Sequence, residues 1–234
     1  MFALLDGDIL CYRVAAATEN EEEKTAIHTL AVFLEELVMC PALLKVEESF
    51  FYLTGKNNFR YDIAKTVPYK GNRKDKPKPK HLPLLREYLE KAWGAEVAQG
   101  QEADDAIVIK ATELGYDESI IVSLDKDFLQ VPTWHYNFVK NTLMKQSDAD
   151  ALLFFYSQIL TGDSADNVQG VKGVGPVKAA KMLKEAKTAQ EMYAVCVEAL
   201  GQERAFENAS LLYLRRHPNE KWEPPVGDEK NTEE

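Results

Sequence analysis

Three short apolar runs, "FALLDGD" (residues 2–8), "ESFFYLTG" (48–55) and "SIIVSLDKD" (119–127), each break off at a polar turn, and two of them end in paired aspartates. Runs of this length between turn residues read as buried strands. Helical spacing fills the intervals: 22–40, with Leu30, Phe33, Leu34, Leu37 and Val38 on one face, then 83–93 and 103–113. Strands alternating with helices predict an α/β fold, a mostly parallel central sheet flanked by helices. From residue 148 the strands give way to helical stretches at 148–161, 176–186, 188–200 and 203–216. The expected organisation is an α/β core over 1–147, a helical region over 148–216 with a helix–turn–helix element at 160–186, and a loose acidic tail at 217–234. A chain of 234 residues that is 45% apolar has ample material for such a core.

In open α/β sheets ligands collect at the carboxyl ends of the strands. Asp6 and Asp8 follow "FALL", Asp125 and Asp127 follow "IIVSL", and the helix that starts after "AEVAQGQ" brings Glu102, Asp104 and Asp105 to the same edge. A fourth set, Asp163 and Asp166, lies in "TGDSADN". Singly, each has an ordinary explanation, since aspartate is a common turn residue and Asp104 could cap its helix. Collectively they are costly: two like charges about 4 Å apart repel by roughly 1 kcal/mol in water and several-fold more in a partly buried site. Either the group faces water or something cationic sits there. Sets without histidine or cysteine suit a hard, oxygen-seeking cation, Mg²⁺ or Mn²⁺, and their number suits two ions. Such a pair can activate a water and stabilise the leaving oxygen of a phosphodiester.

The net charge of −10 argues against a nucleic-acid partner until its distribution is read. Residues 65–80 carry +6 and residues 172–187 carry +4, which leaves −20 on the rest. Either basic run alone could be no more than a solvated face. In "GVKGVGPVKAAKMLK" (170–184), however, Gly170, Gly173 and Gly175 permit a tight turn, Pro176 suits the first helical position, and Lys172, Lys178 and Lys181 surround it. A backbone phosphate of DNA, read without sequence specificity, is the natural ligand. In "TVPYKGNRK" (66–74), Lys70, Arg73 and Lys74 offer phosphate contacts and Tyr69 an aromatic face for an unstacked base, although an exposed basic loop would look the same. Cys11, Cys40 and Cys196 are few, odd in number and far apart, so that neither a disulfide framework nor a Cys-rich zinc site is indicated. No apolar run approaches the roughly 20 residues of a bilayer span. A cytoplasmic protein with no membrane partner is expected.

In order and content, "LLDGD", "YKGNR", "EADD", "LDKDF" and "GDSADNVQGVKGVGPVKAAKML" resemble the 5′-nuclease superfamily of flap endonucleases and 5′→3′ exonucleases, in its stand-alone phage or bacterial form, over residues 3–184. The resemblance implies first-site metal ligands at Asp6, Glu102 and Asp104 with Asp105 close by, second-site ligands at Asp125, Asp127 and Asp163, and an accessory Asp166. It makes Lys70 and Arg73 contacts to the scissile phosphate, with Tyr69 the aromatic beside them. It makes 170–184 a duplex-gripping helix–hairpin–helix-like element, with a K⁺ at the 170–176 turn, and makes 70–93 a flexible basic arch over the site.

Two departures accompany it. Relatives carry a further acidic ligand just after the second strand, where this chain has Thr54 and Gly55, so that a water or Asp8 would have to fill the place. The arch is short and broken by Pro77, Pro79 and Pro83, and is expected to be disordered without DNA. The implied activity is Mg²⁺-dependent hydrolysis of DNA at a 5′ flap, a 5′ end or an RNA primer–DNA duplex by a monomer. Its rivals are a structure-specific DNA-binding protein that has lost cleavage, and a PIN-type RNase, which has no need of the 170–184 clamp.

Overall fold

A computed structural model describes residues 1–74 and 76–226. Its first part runs β1 (Phe2–Asp6), α1 (Gly7–Ala17), α2 (Glu23–Val38), β2 (Glu48–Thr54), α3 (Arg60–Ile63), α4 (Leu82–Trp93), β3 (Glu96–Ala98), α5 (Ala103–Leu114), β4 (Ser119–Val122), β5 (Trp134–Asn137) and β6 (Thr142–Lys145). The strands form one sheet in the order β3-β2-β1-β4-β5-β6, parallel except for the antiparallel edge strand β6. β1 is apolar throughout its interior because both faces are covered. Its alternation divides two cores: Ala3 and Leu5 pack under α1, α2 and α4 with Leu10, Leu30, Leu34, Leu85 and Leu89, while Leu4 packs under α5 with Ile107, Val108 and Ala111.

The second part runs α6 (Asp148–Thr161), β7 (Gly162–Asp163), β8 (Val168–Gln169), α7 (Pro176–Met182), α8 (Ala189–Leu200) and α9 (Gln202–Leu212), around a third core that includes Tyr156, Ile159, Leu160, Leu183 and Cys196. The β7–β8 hairpin needs glycine where its ends cross: a Cβ on Gly170 would lie 2.1 Å from the Thr161 carbonyl carbon, and Gly162 has φ +68°. No helix among the described residues is long and apolar enough to cross a membrane.

Several expectations change. Helix α1 and strands β3, β5 and β6 were not legible, because α1 starts on the turn-like "DGD", β3 has only three residues and β6 is an exposed edge strand without a buried face. The strands do not end before 148, since the two-residue strands β7 and β8 follow α6. Helix α9 stops at Leu212 rather than 216, where the Leu211 and Tyr213 carbonyls accept hydrogen bonds from the Arg60 guanidinium. Helix α7 ends at Met182. The arch is not flexible over its whole expected length: Pro83 starts α4 instead of breaking it, Leu85 and Leu89 are fully buried, and the buried His81 meets the Glu21 carbonyl through Nε2 at 3.0 Å. Only Lys74 and residues 76–80 lie between the helical turn at Gly71–Arg73 and His81 without regular structure, Asp75 being outside the described residues. The tail is not loose up to Trp222, whose ring packs on Tyr193 and Phe206 at 5.2 and 5.7 Å. Residues 227–234 of that expected tail lie outside the described residues.

Candidate active site

The chain leaves β1 toward β2 and β3 on one side and returns to β4 on the other, which opens a crevice at the carboxyl ends of β1 and β4. Asp6 ends β1 there. Its Oδ1 caps α1 by accepting the Ile9 N–H at 3.1 Å, and its Oδ2 accepts from Ser123 Oγ, just past β4, at 2.8 Å. Burial, with the Asp125 charge adding to it, pushes Asp6 up to about 6. Asp104, in the first turn of α5, is pushed well above the carboxylate range by burial and by Asp6, Asp125 and Glu102. Asp127 rises to about 7 through burial and through Asp125 and Asp163. Carboxyls from β1, α5 and the turn after β4 therefore feel one another across the crevice. Positive charge placed among them restores the anionic forms.

The protein supplies part of that charge. Segment 68–73 is tied to the β7–β8 loop: Lys70 N–H donates to the Asp166 carbonyl at 2.9 Å, Asn72 Nδ2 to the Ser164 carbonyl at 2.6 Å, and Arg73 Nε to the Ala165 carbonyl at 2.7 Å. Lys70, itself in the left-handed region at φ 52°, is thereby aimed so that its ammonium pairs with Glu102 and stands 3.7 Å from Asp166, while Arg73 Nη2 is 2.9 Å from Asp166. Burial disfavours the Lys70 charge, yet Glu102 and Asp166 outweigh it and raise its pKa. On the other side, Lys126 Nζ lies 2.9 Å from Asp163 Oδ2, and Asp163 Oδ1 accepts the Ala165 and Asp166 N–H groups at 2.6 and 3.2 Å. Although burial raises Asp163, these partners hold it below the usual carboxylate range. Among the described residues no three carboxylates stand close enough to form a ready-made ligand cage. Two of the expected ligands, Glu102 and Asp163, each carry a lysine instead.

Three expected residues are used otherwise. Asp105 is no open metal ligand: it is fully buried and grips Arg60 through both oxygens at 2.6 and 2.9 Å, while also accepting the Glu102 and Arg215 N–H groups. Tyr69 cannot stack on a base, being 3% exposed and edge-on to Tyr61, and its hydroxyl lies 3.0 Å from Glu102 and 2.7 Å from Asp166 as a donor to either. Asp8 does not fill the place of the missing carboxylate. It is held by the Thr54 N–H at 2.8 Å and by Arg86.

Sequence reasoning missed Arg60, Arg86, Ser123 and Lys126. Only Lys126, between two aspartates, carried a local signal. Beyond the hairpin, Lys172, Lys178 and Lys181 are exposed around Gly173 and Gly175, as is Lys74 near the arch. Lys178 Nζ donates to the Gly173 carbonyl at 2.7 Å, so a cation already sits at the 170–176 turn.

Comparison with known proteins identifies relatives of this chain and of its fold. Residues 1–159 match the family model described as 5′-3′ exonuclease, N-terminal resolvase-like domain. The flap endonuclease Xni of Shewanella piezotolerans is 31% identical over 92% of this chain and 88% of its own length, and that of Shewanella woodyi 28% identical over 87% and 84%. DNA polymerase I of Bacillus caldotenax is 29% identical over 85% of this chain but only 25% of its own length. Among solved structures, the T5 D15 protein co-crystallised with metal ions has the same fold, with a TM-score of 0.67 at 19% identity over 90% of this chain and 88% of that one.

Proposed function

From the premise that this chain belongs to the 5′-3′ exonuclease family and is a 5′-nuclease, we propose that it hydrolyses DNA phosphodiesters at 5′ flaps, at 5′ ends or in RNA primer–DNA duplexes, using the carboxylate crevice at the ends of β1 and β4. One observation carries the reading: Asp6, Asp104, Asp125 and Asp127 raise or feel one another's charge across the crevice, while Lys70 and Arg73 are held against its rim by the Asp163–Asp166 loop.

The donor set fits a hard divalent cation, Mg²⁺ or Mn²⁺, because it is made of carboxylate oxygens, and burial has raised the affinity of Asp6, Asp104 and Asp127 for positive charge. Asp6, Glu102 and Asp104 would hold one ion; Asp125, Asp127 and Asp163 would hold a second, with Asp166 behind them. Bound there, such ions supply the charge that activates water and stabilises a leaving oxygen. The rest falls to the chain. Lys70 and Arg73 meet the non-bridging phosphate oxygens with charge-assisted hydrogen bonds. Tyr69 orients Glu102 and Asp166 through the hydroxyl it places between them. Lys172, Lys178 and Lys181, with Lys74 nearer the arch, take duplex phosphates from the side of the β7–β8 hairpin, which links this grip to Asp163. A K⁺ at the 170–176 turn would have to replace the Lys178 ammonium at the Gly173 carbonyl. We read the protein as a cytoplasmic monomer.

The missing carboxylate at Thr54 and Gly55 is the observation that favours the second reading, a DNA-binding protein of this fold with weakened cleavage. End-labelled 5′-flap DNA, blunt duplex, RNA primer–DNA hybrid and single-stranded RNA, each incubated with Mg²⁺, Mn²⁺ or EDTA, decide between them. Metal-dependent cutting of flap or hybrid is expected. Tight binding without cutting in either metal would favour the second reading, and preferential cutting of the RNA would move the protein to a PIN-type activity.

A further inference from the structure

The end of β2 leaves no room for a side chain at Gly55 and holds a cation against Thr54. At Gly55 a Cβ would lie 2.2 Å from the Ala98 carbonyl oxygen and 2.7 Å from Gln99 Nε2, so no side chain fits there without moving β3. At Thr54 the side chain is engaged: its Oγ1 accepts the Ala103 N–H at 2.9 Å, between Glu102 and Asp104. The backbone of Thr54 is clamped from the other side. Its N–H donates to Asp8 Oδ2 at 2.8 Å, its carbonyl accepts from Arg86 Nη2, and Arg86 Nη1 pairs with Asp8 Oδ1. Arg86 thus stands one residue contact from Ala103 on α5 and one from the turn that follows Asp6.

We propose that Arg86 is a DNA-positioning residue, which exchanges the Asp8 carboxylate for a backbone phosphate of the incoming DNA strand. The inference rests on the DNA-cleaving reading above. A guanidinium offers five donors in a planar fork that suits phosphate as well as carboxylate. Here two of its nitrogens are committed to Asp8 and Thr54, yet the side chain remains 27% exposed and that of Asp8 31%, so a phosphate can reach it. The exposed Lys74, Lys76, Lys78 and Lys80 precede it in the chain and add positive charge to the segment before α4. At this corner of the site the protein would grip phosphate directly, with a fixed positive charge where a further acidic ligand is absent. Asp8 is then a competitor that holds the guanidinium in place until DNA arrives.

The test is flap-DNA affinity measured in EDTA across a salt series, so that cleavage does not enter, together with thermal stability of each variant. Arg86→Gln, which keeps a donor for the Thr54 carbonyl, should bind about 10-fold more weakly and lose about one unit of the log K against log salt slope. Arg86→Lys should restore most of the slope but not the full affinity. Asp8→Asn, which removes the competitor, should bind more tightly than the parent. A strut that merely ties α4 to β2 would give a different result: Arg86→Gln and Asp8→Asn would both lower the unfolding temperature and shift DNA affinity in the same direction or not at all, and that result overturns the assignment. A parent protein that binds none of the DNAs would overturn the functional reading as well, whereas parent binding with unchanged Arg86→Gln would overturn Arg86 alone.

Discussion

Replacing Asp105 with asparagine removes one charge from a pair sealed from water, since the Arg60 and Asp105 side chains are 1% and 0% exposed. The guanidinium would stay where it is, fixed by the Leu211 and Tyr213 carbonyls at 2.8 and 2.7 Å, but without its counter-ion. Breaking a buried pair from one side costs about 3–5 kcal/mol because an uncompensated charge is left inside. In a chain of this size each kcal/mol lowers the unfolding temperature by about 2–4 °C, so Asp105→Asn should unfold about 6–20 °C below the parent in EDTA. Adding Arg60→Met should cost less than the sum of the two single changes, because the double variant buries no lone charge. The sign of the pH dependence follows. Burial raises Asp105, but Arg60 and the Arg215 and Glu102 N–H groups outweigh it and hold the folded pKa below the ordinary 3.8. The pair's contribution is thus complete above the unfolded value and is lost as pH falls through the folded one, so the gap between variant and parent should close in acid. Differential scanning calorimetry across pH, with Mn²⁺ titration calorimetry beside it, reads both. An Asp105→Asn protein with the parent's stability but weakened Mn²⁺ binding would refute the reasoning and return Asp105 to the ligand set.

Asp127→Asn should act in the opposite sense. Asp127 is raised to about 7 in the fold, so its ionisation works against folding as pH climbs from about 4 past 7; in EDTA at pH 8 the variant should be the more stable protein, with the difference vanishing near pH 4. Asp125→Asn should lower metal-dependent cleavage by 10²-fold or more while leaving flap-DNA affinity within about two-fold, as read by gel assays; cutting at the parent rate would remove Asp125 from the site. Lys178→Ala should weaken duplex binding and reduce the salt slope by about one, a loss common to all sequences because the contact is to phosphate.

Much of the scaffold was legible because it depends on periodicity. β1, β2 and β4 announce themselves as apolar runs closed by turns, and α2, α4 and α5 as stripes at helical spacing, because burial on one or both faces imposes those patterns on nearby residues. The carboxylate edge was legible for a related reason: Asp6 and Asp125 sit where such runs stop. α1, β3, β5 and β6 were not, since a helix opening on "DGD", a strand of three residues and an edge strand with every residue exposed leave no such stripe.

The uses of individual side chains divide along the same line. The sequence by itself determined that acidic groups would gather at one sheet edge, and that basic groups would be segregated into two other segments. Residue type alone could not separate Asp104 from Asp105, and the resemblance only set Asp105 close by the ligands. A helix turns about 100° per residue, so one carboxyl joins the field of Asp6 and Asp125 while the other enters the interior against Arg60, a residue 45 positions earlier in the chain. Tyr69 likewise looked like a face for a base until the fold placed its hydroxyl between Glu102 and Asp166. Arg86 gave no signal until α4 docked on Thr54. Local pattern encodes which face of an element is buried; which charges meet depends on pairings across dozens of residues, and only the packed tertiary structure decides those.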